Sequence, residues 1–164
     1  MFYIVGFYKF KKIDNVKKLK DKFQKKLVQH KIKGSIIFSK EGINGTISGK
    51  KNDILIIINN LKRICKINKF DSQNTSINSF QPFHRAKVKI KKEVVPLGIK
   101  VKQSQRSPNL IEPNRWNKLL SEKKIKIIDV RKPFEYEVGT FKGAENPNVN
   151  NFRDFPKYLN KFNK

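Results

Sequence analysis

Apolar and polar positions alternate along the chain in a way that predicts its elements one after another. Phe2 to Phe10 is an aromatic and β-branched run suited to a strand. Ile13, Val16, Leu19, Phe23 and Leu27 then recur at spacings of three and four, with lysines between them. That period predicts an amphipathic helix with a solvated, lysine-rich side, and Asp14 or Asn15 is placed to cap it. Gly34 to Ser39 predicts a second strand centred on Ile36, Ile37 and Phe38. The turn-like Lys40-Glu41-Gly42 leads into a third, Ile43 to Ser48, giving a hairpin. Ile54, Leu55, Ile57, Ile58, Leu61, Ile64 and Cys65 stripe a second helix from about Asn52 to Cys65, with Asn52 or Asp53 as its cap. A last strand is expected over Arg85 to Val95. The order β-α-β-β-α-β is the split βαβ pattern of an α+β, ferredoxin-like domain. Two helices cover one face of an antiparallel sheet and the other face stays free.

The pattern changes after residue 98. Lys100 to Pro108 is polar and reads as a linker, so the expected organisation is residues 1–98, a linker over 99–110, and a further unit over 111–164. Glu112-Pro113 suits a helix start, and Trp116, Leu119 and Leu120 give that helix an apolar side. Ile125, Ile127, Ile128 and Val130 predict a short strand with the near-continuous apolar character of a parallel, doubly covered sheet. Phe152 to Leu159 predicts another helix, interrupted early by Pro156. One strand with one or two helices does not make a parallel sheet. The second unit is therefore expected to be the incomplete start of an α/β layer.

Composition narrows the class. Apolar residues make up 37% of the 164, and 13 are Phe, enough for a real core. The longest apolar runs, such as Ile54 to Ile58, fall far short of the roughly 20 residues that span a bilayer. The first residues have neither a basic lead nor a small-residue cleavage site, so a first strand is expected there and not a signal peptide. A single cysteine, Cys65, excludes an internal disulfide framework and leads to the expectation of a reducing cytoplasm.

The net charge is +25, from 38 Lys and Arg against 13 Asp and Glu. Such a field attracts polyanions, nucleic acid above all. The basic residues are 32 Lys and 6 Arg beside abundant Ile, Asn and Phe. That is also the mix an AT-rich genome writes, so charge alone does not establish RNA binding. Position adds more. In a strand Arg85, Lys87, Lys89 and Lys91 alternate with Ala86, Val88 and Ile90 and share one face. With Lys92, His84 and Phe83 beside them, this ladder suits an RNA backbone and an unpaired base. The alternative is a solvated strand face. The glycine-bearing segment Glu41 to Gly45 is read either as a loop near a substrate or as a hairpin turn. His30 and His84 have no Cys or acidic cluster around them, so no metal site is expected. No dinucleotide or nucleotide-triphosphate motif is present either.

Two segments carry a resemblance. One is Glu41-Gly42-Ile43-Asn44-Gly45-Thr46 with the later basic run Phe83-His84-Arg85-Ala86-Lys87-Val88-Lys89-Ile90-Lys91-Lys92-Glu93-Val94-Val95. The other is Asp129-Val130-Arg131-Lys132-Pro133-Phe134-Glu135-Tyr136, continuing through Gly139, Gly143-Ala144 and Asn146 to Phe152-Arg153-Asp154-Phe155-Pro156. The stretch from Asp129 resembles the opening of a rhodanese domain. In this order the two segments are similar to the rhodanese-related tRNA uridine hydroxylases, in which a ferredoxin-like domain precedes a rhodanese domain. The resemblance implies oxygen-dependent hydroxylation of the wobble uridine of tRNA to 5-hydroxyuridine, with molecular oxygen and an unidentified electron donor. It implies scaffold roles for Asp129, Arg131 and Glu135; with tRNA as the polyanion, the basic ladder read above makes His84, Arg85, Lys87, Lys89, Lys91 and Lys92 the expected contacts. Members of that family carry a Cys-x-Gly-Gly-x-Arg-Cys loop after the next strand. The 164 residues do not reach it, so no catalytic residue is assigned and the chain alone is expected to be inactive. Cys65 is expected to be a buried apolar residue of the other unit. Two further readings stay open: a non-catalytic basic RNA-binding module, and a rhodanese-type sulfurtransferase remnant.

Overall fold

The computed structural model describes residues 1–98, 111–122 and 124–162. The chain divides into two compact units, Met1–Val95 and Pro96–Lys164. The expected linker at 99–110 lies outside the described residues. No described helix is long and apolar enough to cross a membrane.

The first unit runs β1 (Phe2–Phe10), α1 (Val16–Gln29), β2 (Lys33–Ser39), β3 (Gly42–Gly49), α2 (Lys51–Ile64), β4 (Ser72–Asn78) and β5 (Ala86–Ile90). The strand order is β4-β1-β3-β2-β5. β1 pairs antiparallel with β3 and β4, β2 antiparallel with β3, and β5 parallel with β2. This is a ferredoxin-type fold whose sheet is five-stranded and mixed. It corrects the expected ending. The strand that completes β-α-β-β-α-β is β4, a polar segment with no apolar alternation. The basic strand expected over Arg85 to Val95 is shorter and is a fifth strand at the opposite edge.

Phe23 and Leu27 of α1, Ile36 and Phe38 of β2, Ile43 and Ile47 of β3, and Ile57 and Leu61 of α2 are wholly buried together. Each side chain of that kind contributes about 1.5–3 kcal/mol of burial. α2 lies over β1 and β3, α1 over β2 and β5, and β4 is left uncovered. Cys65 sits in the same core, and burial raises its thiol pKa to about 11.

Both helices stop in the same way. Lys31 and Lys66 adopt left-handed backbone at φ 51° and 53°. The next residues, Ile32 and Ile67, donate their N–H groups back to Leu27 and Lys62 and bury their side chains. These are Schellman endings with lysine where glycine is usual. The helix starts differ from expectation. Asn15 precedes α1 but in left-handed backbone with no side-chain cap, and Lys50, not Asn52 or Asp53, is the residue before α2. Asp53 instead holds Nδ1 of His30 at 2.9 Å, which ties the end of α1 to the start of α2. Gly42 is required by close approach, since a Cβ there would strike the carbonyl oxygen of Lys9.

The second unit holds α3 (Pro113–Leu120), α4 (Pro133–Val138) and α5 (Phe155–Leu159). The expected strand at Ile125 to Val130 is reduced to one parallel bridge, Ile128 with Glu145. A strand forms only where neighbours pair along its length, and here one residue does. α4 is an addition to the expected elements. The predicted helix from Phe152 is a 3-10 turn followed by the short α5, with Pro156 in its first turn. Among its described residues Ala144 is the single buried apolar one. Phe134, Val138 and Phe141 are mostly exposed.

Candidate nucleic-acid interface

Register decides which side chains share the face of the sheet opposite the helices. Residues directly paired across strands lie on the same face. One row across the sheet is Asn74, Gly6, Thr46, Ser35 and Lys87. The next is Ser72, Tyr8, Asn44, Ile37 and Lys89. A third is Ser76, Ile4, Ser48 and Lys33. Val5, Phe7, Ile36, Ile43, Ile47 and Val88 occupy the alternate positions and are buried beneath the helices. This face therefore carries amide and hydroxyl groups beside Ile4 and Ile37, an aromatic patch and a lysine margin, while Ser48 in its third row is wholly buried. Tyr8 and Phe10 meet edge to face with ring centroids 6.0 Å apart. Among the residues named in these rows there is no carboxylate.

Lys87 and Lys89 stand on β5 with Val88 buried between them. Pairing to β2 extends past both ends of the strand. The Gly34 N–H donates to the Arg85 carbonyl at 2.8 Å, and the Lys91 N–H donates to the Phe38 carbonyl at 3.0 Å. Arg85, Lys87, Lys89 and Lys91 thus belong to one extended run, and all four are exposed. Lys92 follows it, and His84 precedes it on the exposed crossing from β4 to β5. The crossing is pinned by Gln81, whose Nε2 donates to the Ser48 carbonyl at 3.2 Å. Among the described residues none of these basic side chains makes an ion pair with a carboxylate. Their charge is available to an anionic partner.

Glu41 has the contacts of a hairpin corner. Its N–H donates to Ser39 Oγ at 3.0 Å, and its carboxylate accepts the Val94 N–H at 2.7 Å. Lys33, Tyr8 and Asn74 are functional candidates that the sequence does not single out, and they share this face with Asn44 and Thr46 of the glycine-bearing segment. They come from four strands, and only pairing brings them together.

In the second unit Asp129 and Arg131 fall in one hydrogen-bonded node, and Glu135 lies outside it at the start of α4. Arg131 Nε and Nη2 donate to both carboxylate oxygens of Asp129 at 2.5–3.1 Å, and Thr140 Oγ1 donates to Asp129 at 2.8 Å. Arg131 Nη2 also donates to the Gly139 carbonyl at 2.6 Å. Asn146 Nδ2 bridges the carbonyls of Asp129 and Arg131, and Tyr136 Oη donates to the Ala144 carbonyl. Glu135 receives the Lys132 N–H at the start of α4. Hydrogen bonding from Arg131 holds the Asp129 carboxyl well below the usual carboxylate range, and Asp129 raises the Arg131 guanidinium in return. An Asp so held is a poor proton acceptor. The node's geometry is that of a brace between the segment 127–131 and the turn 139–146. Beside it lies a cleft lined by Trp116, Ile127, Ile128, Val130 and Phe141.

Residues 2–94 match the family described as the UPF0176 acylphosphatase-like domain. A curated protein from Pelagibacter ubique named tRNA uridine(34) hydroxylase is 53% identical over 164 residues, 100% of this chain and 54% of its own length. Another of that name, from Teredinibacter turnerae, is 35% identical over 161 residues, 95% of this chain and 49% of its own. The chain spans about half the length of these curated relatives. Among solved structures, an acylphosphatase from Bacillus subtilis is similar over 56% of this chain and 99% of its own, at 14% identity and a TM-score of 0.39.

Proposed function

The chain belongs to the family defined by the UPF0176 acylphosphatase-like domain, and from that premise we propose that it is the front part of a tRNA-modifying enzyme that hydroxylates the wobble uridine to 5-hydroxyuridine. The observation that carries this reading is 53% identity over all 164 residues to a protein named for that reaction. In this reading the first unit holds tRNA. Lys87 and Lys89, continued by Arg85 and Lys91 and flanked by His84 and Lys92, track phosphates along the β5 edge. The second unit is the beginning of a rhodanese-like layer. Asp129, Arg131 and Glu135 brace it and do not react. The parallel bridge of Ile128 with Glu145 and the helix start at Pro133 support that placement.

Placing one atom of O2 on C5 of uridine leaves the other to be reduced to water, which takes two electrons and two protons from a donor. We assign neither oxygen nor donor to any described residue. The thiol chemistry expected of the family is not assigned to Cys65, which is buried and has its thiol pKa raised to about 11. The 164-residue polypeptide is accordingly proposed to bind tRNA without modifying it, and the same buried thiol argues against a sulfurtransferase role for it.

The test combines binding with product analysis. Purified protein is titrated with unmodified tRNA at several salt concentrations, then incubated with it in air with a reductant before nucleoside mass spectrometry. The expected result is affinity that falls steeply with salt, no nucleoside heavier by one oxygen, and a salt slope reduced by about 1 for each of Lys87→Gln and Lys89→Gln. Salt-independent or absent tRNA binding would sink the reading of the sheet. Formation of 5-hydroxyuridine by this polypeptide would overturn the proposal that it binds without modifying.

A further inference from the structure

Gly6 stands in the middle of β1, paired with Thr46 on one side and Asn74 on the other. Nothing in the fold asks for glycine there. Its backbone is not in the left-handed region. A Cβ built on it meets only Thr46 Oγ1, at an ordinary 3.7 Å. At Gly34 and Gly42, by contrast, a Cβ would strike a neighbouring carbonyl oxygen. Glycine inside a strand weakens it, and where packing does not require it, it marks close approach by a ligand or another backbone.

The surroundings of Gly6 say what approaches. Along β1 the same face carries Tyr8, 38% exposed, with Phe10 edge-on behind it. Across the sheet the exposed Thr46 and Asn74 offer a hydroxyl and an amide, which between them donate and accept. Lys87 ends the same row three strands over, about 14 Å away at the usual strand spacing. A flat floor, an aromatic wall, two-way hydrogen-bonding groups and a lysine margin match an unpaired nucleobase with its backbone running toward β5. Another copy of the chain fits worse, because two molecules of net charge +25 repel.

We propose that Gly6 is the floor of a site for one unpaired RNA base, bounded by Tyr8, Thr46 and Asn74, on the open face of the sheet. This rests on the RNA reading of the first unit and names what that face takes: a single-stranded loop and not a duplex.

The test uses the whole 164-residue protein with two probes, an RNA stem-loop with an unpaired loop and a fully paired RNA duplex of equal length. Gly6→Val is expected to melt at or above the wild-type temperature, yet to lose about tenfold or more in affinity for the stem-loop and little for the duplex. Tyr8→Ala is expected to lose about tenfold for the stem-loop, the usual scale of one stacked base. Lys87→Gln and Lys89→Gln weaken both probes alike. If Gly6→Val and Tyr8→Ala bind the stem-loop as wild type does while the lysine variants fail, the base site is wrong and the RNA reading stands. If the wild type binds neither probe, both fall. A lower melting temperature for Gly6→Val gives the glycine a structural cause and also overturns the site. So does concentration-dependent self-association that Gly6→Val abolishes.

Discussion

The side-chain amide of Gln24 closes the outer edge of β5 around Val88. Gln24 Oε1 accepts the Val88 N–H at 2.9 Å, and Gln24 Nε2 donates to the Ala86 carbonyl at 3.1 Å. One side chain on α1 thus does for β5 what a sixth strand would do, and it leaves the edge unable to pair with another chain there. Removing it leaves a backbone donor and acceptor unpaired beside a buried valine. Gln24→Leu is expected to cost about 1–3 kcal/mol in urea unfolding and to speed hydrogen exchange at Val88. Unchanged exchange at Val88 would show that the amide is not what protects this edge.

The lysines in the two Schellman endings hold a conformation that disfavours side chains. A left-handed residue other than glycine costs roughly 1–2 kcal/mol, part of which glycine returns as unfolded-chain entropy. Lys31→Gly and Lys66→Gly are each expected to stabilise the first unit by about 0.5–1 kcal/mol, and to add when combined, since they end different helices. A loss of stability in either variant would mean that its lysine stem packs in a way that outweighs the strain.

Cys65 provides a pH readout. Its folded pKa of about 11 lies above the ordinary thiol value of 9.0, because burial disfavours the thiolate. The neutral thiol's contribution is complete below pH 9 and is lost as pH rises toward 11. Cys65→Ala is expected to flatten the alkaline limb of the stability profile in that window. In the wild type the thiol is expected to react with a disulfide reagent at about pH 8 only as fast as the core opens. Fast reaction in the folded protein would place the thiol at the surface.

Asp129 and Arg131 act in the opposite direction. The Asp129 carboxyl titrates below its ordinary value in the folded state. Its contribution is therefore present above the usual pKa of about 3.9 and fades as pH falls below it. Asp129→Asn is expected to leave the first unit's unfolding unchanged and to increase proteolytic cleavage between 127 and 146 at neutral pH. Cleavage there that matches wild type would remove the node as the brace of that segment.

Periodicity carried α1, α2 and the β2–β3 hairpin in the sequence itself, because each buries a regular stripe: Phe23 and Leu27, Ile54 to Leu61, Ile36 and Phe38 with Ile43 and Ile47. The Asp129 to Asn146 segment was only partly legible: its hydrogen-bond partners lie within 17 residues of one another, but the strand expected at Ile125 to Val130 is a single bridge and α4 was not foreseen. β4 was not. Ser72 to Asn78 lies at an edge with both faces largely open, held by backbone bonds to β1, and backbone bonds leave no mark on side-chain identity.

The sequence by itself determined the two-helix sheet domain and the alternation of lysines along β5, since both follow from local period. Only the tertiary structure decided that the basic strand is a fifth one running parallel to β2. It alone also set Gly6 between Thr46 and Asn74, with Tyr8 on the same face. Those neighbours are separated by tens of residues, and register between distant strands is fixed by which faces are buried together, a property no single segment holds.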